Sequence, residues 1–323
     1  MSRYLPKFGK QDRPGLYRLV FSAAVILLLM ILPFSVSKYT VVLLSTIMMY
    51  VVITVSWTLF SGSTRYISLA SAAFFGIGVY TAAVFGRALP LPVVIAIGGL
   101  LSFCLALIIG ALTLRLRGIY FAMFTLGIVE FIVTFLRWWE AKFSGTVGRV
   151  VVSVDYTIVY YVMLAIFLVL MLTVHFLERS KFGLALKGIG ECEEAAAHAG
   201  VNTTRLKVVT FAVSAFFIGA TGVIMATRWT YIDPKIAFNL QYSFLPVVMA
   251  IIGGMGQLYG PIIGAVFFTY LEEFLITRLP YHYMLIFGVI MVAAILYLPE
   301  GLTGLVQKWW KRGSEGKNAH FGG

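Results

Sequence analysis

The sequence is poor in charge, and poorest in negative charge: 12% of its 323 residues are charged, with 13 acidic side chains against 25 lysines and arginines. A soluble domain carries about a quarter charged residues, so water is excluded as the main solvent of this chain. Cysteine is nearly missing. Cys104 lies in an apolar run and Cys192 in a polar loop, which offers neither a metal-ligand spacing nor a redox pair, and no disulfide is expected. Catalytic signatures are missing too. No Gly-x-x-x-x-Gly-Lys-[Ser/Thr] phosphate loop occurs, since the two Gly-Lys pairs continue Gly9-Lys10-Gln11 and Gly316-Lys317-Asn318, so any ATP hydrolysis must belong to another chain. His-Glu-x-x-His, Gly-x-Ser-x-Gly and Cys-x-x-Cys are absent, and the Ser-x-x-Lys spacing of Ser35 and Lys38 stands at a span end with no companion motif. An enzyme has no visible seat, and neither a metal nor a cofactor is expected on this chain.

What is present is apolar. Hydrophobic residues make up 60% of the chain, and its mean hydropathy is +0.94. Unbroken apolar runs of about twenty residues, the length that crosses a hydrocarbon core at 1.5 Å per residue, recur from end to end. They predict an all-α polytopic membrane bundle of about ten spans near 16–34, 40–60, 67–86, 91–114, 119–136, 156–177, 206–227, 241–257, 259–278 and 281–298. The first run follows Arg3, Lys7, Lys10, Arg13 and Arg18 as a signal peptide would, but it is too long for an h-region and lacks a small-residue cleavage site. It is read as a retained helix. The expected organisation is a basic segment at 1–15, a transmembrane domain over 16–300 that carries a polar loop at 178–207, and a tail at 301–323. With the N terminus inside, 17 of the 25 basic residues fall on cytoplasmic segments, so both termini are expected in the cytoplasm. The net charge of +12 is then topogenic charge at an anionic lipid surface, and no nucleic acid is implied.

Glycine punctuates the spans. The cluster Gly253-Gly254-Met255-Gly256-Gln257-Leu258-Tyr259-Gly260-Pro261 breaks the apolar pattern without adding charge; two short spans or a broken re-entrant pair both satisfy it, provided that protein or water meets the freed backbone groups. Ser61-Gly62-Ser63 and Gly98-Gly99 are milder interruptions. Gly256, Gly260 and Gly264 form a ladder at four-residue spacing, and Ala72 with Gly76 another, the pattern of helix faces that pack closely in lipid.

The stretch 178–207 cannot cross a membrane. Within it, residues 191–199 are good helix formers with Glu191, Glu193 and Glu194 in the first turn and Gly200 just past the end, matching the helix dipole and the left-handed cap. Asn202, Thr203 and Thr204 then offer capping oxygens to the next span; they also fit a glycosylation sequon, but the charge bias places them inside. An exposed cytoplasmic helix between two spans suits docking to a soluble partner, and an idle loop helix carries the same pattern. Of the ionisable residues at membrane depth, Glu130 is the clearest functional candidate, with Thr125 read as lying on nearly the same face; the carboxylate either pairs within the bundle or meets the solute. Glu272 and Glu273, towards the outer end of the ninth span, are read as structural, and His175 and His282 as interfacial.

Four motifs in order resemble the permease subunits of branched-chain amino acid ABC importers of the LivM type: ISLASAAFFGIGVYTAA, LRLRGIYFAMFTLGIVEFI, SKFGLALKGIGECEEAAAHAGVNTTRLKVVTFAVSAFFIGATG and IIGGMGQLYGPIIGA, spread over most of 60–305. The resemblance implies a bacterial inner-membrane permease that pairs with a second, LivH-like permease chain. It also implies two ABC ATPase subunits, which carry ATP and magnesium, and an extracytoplasmic solute-binding protein. It places ATPase coupling in the polar loop, on Lys187, Glu191, Glu194, Ala195, Ala196 and Gly200, and the candidate translocation path is Ser68, Ser71, Thr125, Glu130, Gly145 and Thr146. The chain departs from the pattern at Gly190, where a basic residue is usual, at Ala70 and Ser71, and in the outer loop Phe143-Ser144-Gly145-Thr146-Val147-Gly148. Urea, an amide or an aromatic acid therefore stays open as cargo beside a branched-chain amino acid. The alternative from a different class is a self-sufficient carrier or channel with paired broken helices.

Overall fold

The computed structural model describes residues 16–297 apart from 117, 144 and 256–258. The basic segment 1–15, the tail 301–323 and Gly256 lie outside the described residues. Helices occupy each of the ten apolar stretches. They are α1 Leu16–Ser35, α2 Lys38–Thr64, α3 Ser71–Phe85, α4 Leu91–Thr113, α5 Ile119–Phe143 and α6 Tyr156–Arg179, then α7 Lys181–Glu191 and α8 Glu193–His198 in the polar loop, then α9 Thr203–Ala226, α10 Pro234–Ala237, α11 Gln241–Gly253, α12 Tyr259–Arg278 and α13 Tyr283–Tyr297. Two short strands, β1 Arg149–Val150 and β2 Tyr231–Ile232, pair antiparallel. Seven stretches are long and apolar enough to cross a membrane: α2, α4, α5, α6, α9, α12 and the run Pro234–Gly253; three shorter apolar helices lie at Ala24–Ser35, Ser71–Phe85 and Tyr283–Ala293.

Local chemistry sets the helix starts. Ser37, Asp155 and Asn202 cap α2, α6 and α9, each side chain accepting a backbone N–H of the first turn. At Asp155 the Thr157 backbone N–H holds the carboxyl below the usual carboxylate range. Asn202 thus plays the capping role read from the sequence.

The core is built on α9, which is 78% buried over its apolar window, against 22% for α5. Backbone approach explains how α3, α4 and α9 reach one another. A Cβ on Gly78 would lie 1.9 Å from the Gly219 carbonyl, and one on Gly222 2.1 Å from that of Phe75, so neither position admits a side chain. Gly98, read as an interruption, packs on Val223. Gly76 is covered by the Phe238 ring, and Gly260 and Gly264 bring α12 onto α11, where a Cβ would strike the carbonyls of Gly254 and Met249 at 2.0 Å.

Two spans are broken. Arg65 ends α2 in the left-handed region (φ 61°), an uncommon conformation for a residue with a side chain, and turns the chain back on itself. Residues 66–70 then run without helix before α3 begins at Ser71. The third span, read as helical from 67, is thus corrected: its first part is non-helical backbone, because buried side chains from other helices satisfy it. The second break lies between α10 and α11 at residues 238–240.

Contacts sort the loops to two ends of the bundle. One end gathers Arg65, Leu114, Met255 and the segment 178–207, through Arg65–Glu191, Lys207–Leu114 and Gly62–Met255 approaches. The other gathers Tyr39 with Glu273, Thr46 with Arg228, and the β1–β2 pair.

Candidate functional site

The polar loop folds as two helices rather than one. The single helix read over 191–199 is corrected: α7 ends at Glu191, Cys192 sits extended between the helices, and α8 starts at Glu193. Residues 181–190, left without a secondary structure in the sequence reading, are helical because their apolar side chains find a face. Leu186 and Ile189 are buried with Gly183, while Lys181, Phe182, Leu184 and Lys187 are exposed. Ser180 caps α7 by accepting from Gly183 N. Gly200 ends α8 at φ 86°, the left-handed cap expected there.

Of the six coupling candidates, Lys187, Glu191, Glu194, Ala195 and Gly200 are exposed, and Ala196 packs inward. Phe182 and Leu184 are exposed apolar side chains of α7, at 63% and 74%. The Gly190 departure has a physical reason: α7 approaches the end of α2 so closely that a Cβ there would lie 2.3 Å from the Ser63 carbonyl. A cleft of about 340 Å³ lies between α2, α6 and α7, lined by Gly62, Arg65, Glu178, Lys187 and Glu191 among others.

What ties these helices to the bundle is a buried charge cluster that the sequence reading missed. Lys207, 2% exposed, places its ammonium 2.6 Å from Glu193 Oε1, donates to the Tyr66 hydroxyl at 3.2 Å and reaches the Leu114 carbonyl at 3.5 Å. Tyr66 in turn donates to Glu193 Oε2 at 2.7 Å, and its ring lies 4.4 Å from the ammonium. α8, α9, the end of α4 and the first residue after Arg65 are thereby joined at one point. A buried ion pair is tolerated when its remaining donors and acceptors are met, and here a hydroxyl and a carbonyl meet them. The exposed Arg65–Glu191 pair, at 3.0 Å with side chains 68% and 79% accessible, contributes about 0–1 kcal/mol at most. The position of Lys207 inside the first turns of a span is the signal that the sequence offers for it.

From Tyr66 the non-helical segment runs into the bundle, and side chains meet several of its backbone polar groups. Trp57 Nε1 donates to the Ser68 carbonyl at 2.7 Å, and the Leu69 N–H donates to Thr125 Oγ1 at 3.0 Å. Ser243 Oγ donates to the Leu69 carbonyl at 2.6 Å and accepts from Ala72 N at 3.0 Å. Irregular backbone inside an apolar bundle survives only where protein satisfies it, and Ser243, near the start of α11, is the residue that ties α11 to this segment and to α3.

The path candidates therefore divide. Ser68, Ser71 and Thr125 are buried, and Ser68 and Thr125 act on the backbone of the broken segment; Glu130, Gly145 and Thr146 are exposed. The six do not share one surface. The reading that put Glu130 and Thr125 on nearly the same face is corrected: at 100° per residue a five-residue step turns about 140°, so the helix that buries Thr125 presents Glu130 outward. At the opposite end of the bundle, Glu140, 2% exposed, accepts from Gly148 N at 2.9 Å and from Arg149 Nε at 3.1 Å, with Tyr80 OH 3.4 Å away. Tyr231 OH donates to the Val147 carbonyl. The loop that holds Gly145 and Thr146 is pinned at its far side by these contacts.

Residues 39–295 match the family described as branched-chain amino acid transport system / permease component. The chain belongs to this family. It is 26% identical to the high-affinity branched-chain amino acid transport system permease protein LivM of Escherichia coli, over 89% of this chain and 75% of that protein, and equally to LivM of Salmonella typhimurium. It is 25% identical to LivH of Salmonella typhimurium over 43% of this chain and 44% of that protein. No solved structure matches it. The permease is thus a multi-pass inner-membrane subunit of an ABC importer. Membership selects that reading over the self-sufficient carrier.

Proposed function

We propose that the permease imports branched-chain amino acids or a related small solute, together with a LivH-like second permease, two ATPase subunits and an extracytoplasmic binding protein. The observation that carries the reading is the α7–α8 pair, with an exposed polar and apolar surface on one side and the Lys207–Glu193–Tyr66 clamp on the other. ATP and magnesium are bound by the ATPases, and α7–α8 seats in a cleft on them. When that cleft closes, the displacement of α8 passes through Glu193 to Lys207 on α9 and to Tyr66, which leads directly into the segment at 66–70 and its interlock with α11. In this arrangement residues 178–207 and both termini are cytoplasmic, and about ten helices cross, α1, α3 and α13 among them. In the same arrangement α11 and α12 pack as neighbours through Gly253, Gly260 and Gly264.

The exposed face of α5 meets the second permease and the path between the two chains. A carboxylate at membrane depth is costly against lipid, and Glu130 shares that face with Phe131 and Met123. Ala196→Pro is the test of coupling. It removes the Ala196 N–H bond to the Cys192 carbonyl, whereas Ala195, within the first turn of α8 where N–H groups are unpaired anyway, is the milder site. In proteoliposomes with the full complex, Ala196→Pro is expected to abolish ATP-driven uptake while the chain still inserts. Normal uptake would refute the coupling role.

A further inference from the structure

At the end of the bundle away from α7–α8, the turn after α9 and the outer parts of α2, α11 and α12 enclose a cleft of about 240 Å³. This is near the low end of the roughly 300–1,000 Å³ that holds drug-sized ligands, so it suits a solute of few heavy atoms. Three features of its lining go beyond packing. Arg228 and Glu272, both half-buried, face the same cleft together with Glu273, yet among the described residues no ion pair closes between the guanidinium and either carboxylate. Arg228 donates to Thr46 Oγ1 at 2.8 Å, and Glu273 accepts from Tyr39, while Glu272 has no such hydrogen bond. Thr269, 3% exposed, lines the cleft, and among the described residues its buried hydroxyl has no hydrogen-bond partner.

Half-buried opposite charges that line one cavity without meeting are each incompletely compensated, and a buried hydroxyl left unpaired carries a desolvation cost. One kind of guest relieves all three: a molecule with an anionic and a cationic end, whose carboxylate takes the forked guanidinium and whose ammonium takes Glu272. The rest of the lining supplies an apolar wall from Met49, Met225 and Ile276 and aromatic faces from Trp229 and Tyr242. We propose that this cleft is a binding site for a zwitterionic α-amino acid with an apolar side chain: Arg228 holds the carboxylate, Glu272 the ammonium, and the Thr269 hydroxyl bonds to one of these ends. It is a station on the permease itself, separate from any binding protein. The choice of an amino acid rests on the proposed function; the charge arrangement does not.

The test uses the assembled importer in lipid nanodiscs without a binding protein, titrated with L-leucine, 4-methylpentanoate and 3-methylbutan-1-amine. L-leucine is expected to bind saturably, and each analogue, lacking one charge, about tenfold or more weakly. Arg228→Gln and Glu272→Gln should each weaken L-leucine by about tenfold or more, and the isosteric Thr269→Val, which keeps the charges and the fold, by about threefold. An absence of saturable L-leucine binding overturns the site, as does binding that Arg228→Gln and Thr269→Val leave unchanged, or an equal affinity for 4-methylpentanoate. ATP-driven uptake by the same wild-type complex, with its binding protein, is measured in parallel. Uptake without cleft binding removes the site and keeps the importer reading; cleft binding without ATP-driven uptake of any amino acid does the reverse.

Discussion

Lys207 carries more of the structure than any other charged side chain described above. Replacing it with Ala strands Glu193 beside a buried face, and removal of one partner of a buried pair costs about 3–5 kcal/mol. Lys207→Ala is therefore expected to lower the unfolding midpoint of the detergent-solubilised permease markedly. The paired change Lys207→Met with Glu193→Gln removes both charges and is expected to recover most of that loss, yet still to reduce ATP-driven uptake, because the clamp that transmits motion is gone. Gly190 gives a second residue-level expectation. Gly190→Ala places a methyl 2.3 Å from the Ser63 carbonyl, so α7 must shift away from α2, at a cost of about 1–3 kcal/mol read in the same melt. Such residues were hard to see in the sequence because their roles depend on what lies opposite: the fold puts Tyr66 next to Lys207 and Gly148 next to Glu140.

The elements were far more legible. Lipid demands long apolar helices, so ten apolar stretches in the sequence correspond to helices in the structure. Hydropathy could not show where a span stops being helical, since a buried extended segment and a buried helix are equally apolar. The break at 66–70 rests on hydroxyls contributed by α5 and α11, partners that no local pattern names. Likewise α7 escaped notice because its apolar residues are few and its three glycines lower helix propensity; burial of Leu186 and Ile189 overrides that. The interlock makes its own prediction. Ser243→Ala orphans the Leu69 carbonyl and the Ala72 N–H, each costing about 1–3 kcal/mol, and Thr125→Val orphans the Leu69 N–H. Both variants should show faster hydrogen exchange confined to residues near 66–72, whereas unchanged exchange there would mean that the segment is held by something else.

At the scale of the whole molecule, the two ends have different chemistry. One presents the α7–α8 surface and its clamp; the other presents the pinned loop at 145–150, the β1–β2 pair and an aromatic cluster of Phe135, Trp138, Trp139 and Phe143 on α5, with Lys142 5.1 Å above the Trp138 ring. Aromatic rings of this kind mark a membrane interface. The account stands on the first end being cytoplasmic and covered by the ATPases. Cys192, exposed at the junction of α7 and α8, reports on it directly, once Cys104 is replaced by Ser. A membrane-impermeant maleimide applied to right-side-out and inside-out vesicles should modify Cys192 only in the inside-out ones, and assembly with the ATPase subunits should protect it. Modification from the right-side-out face would contradict the account.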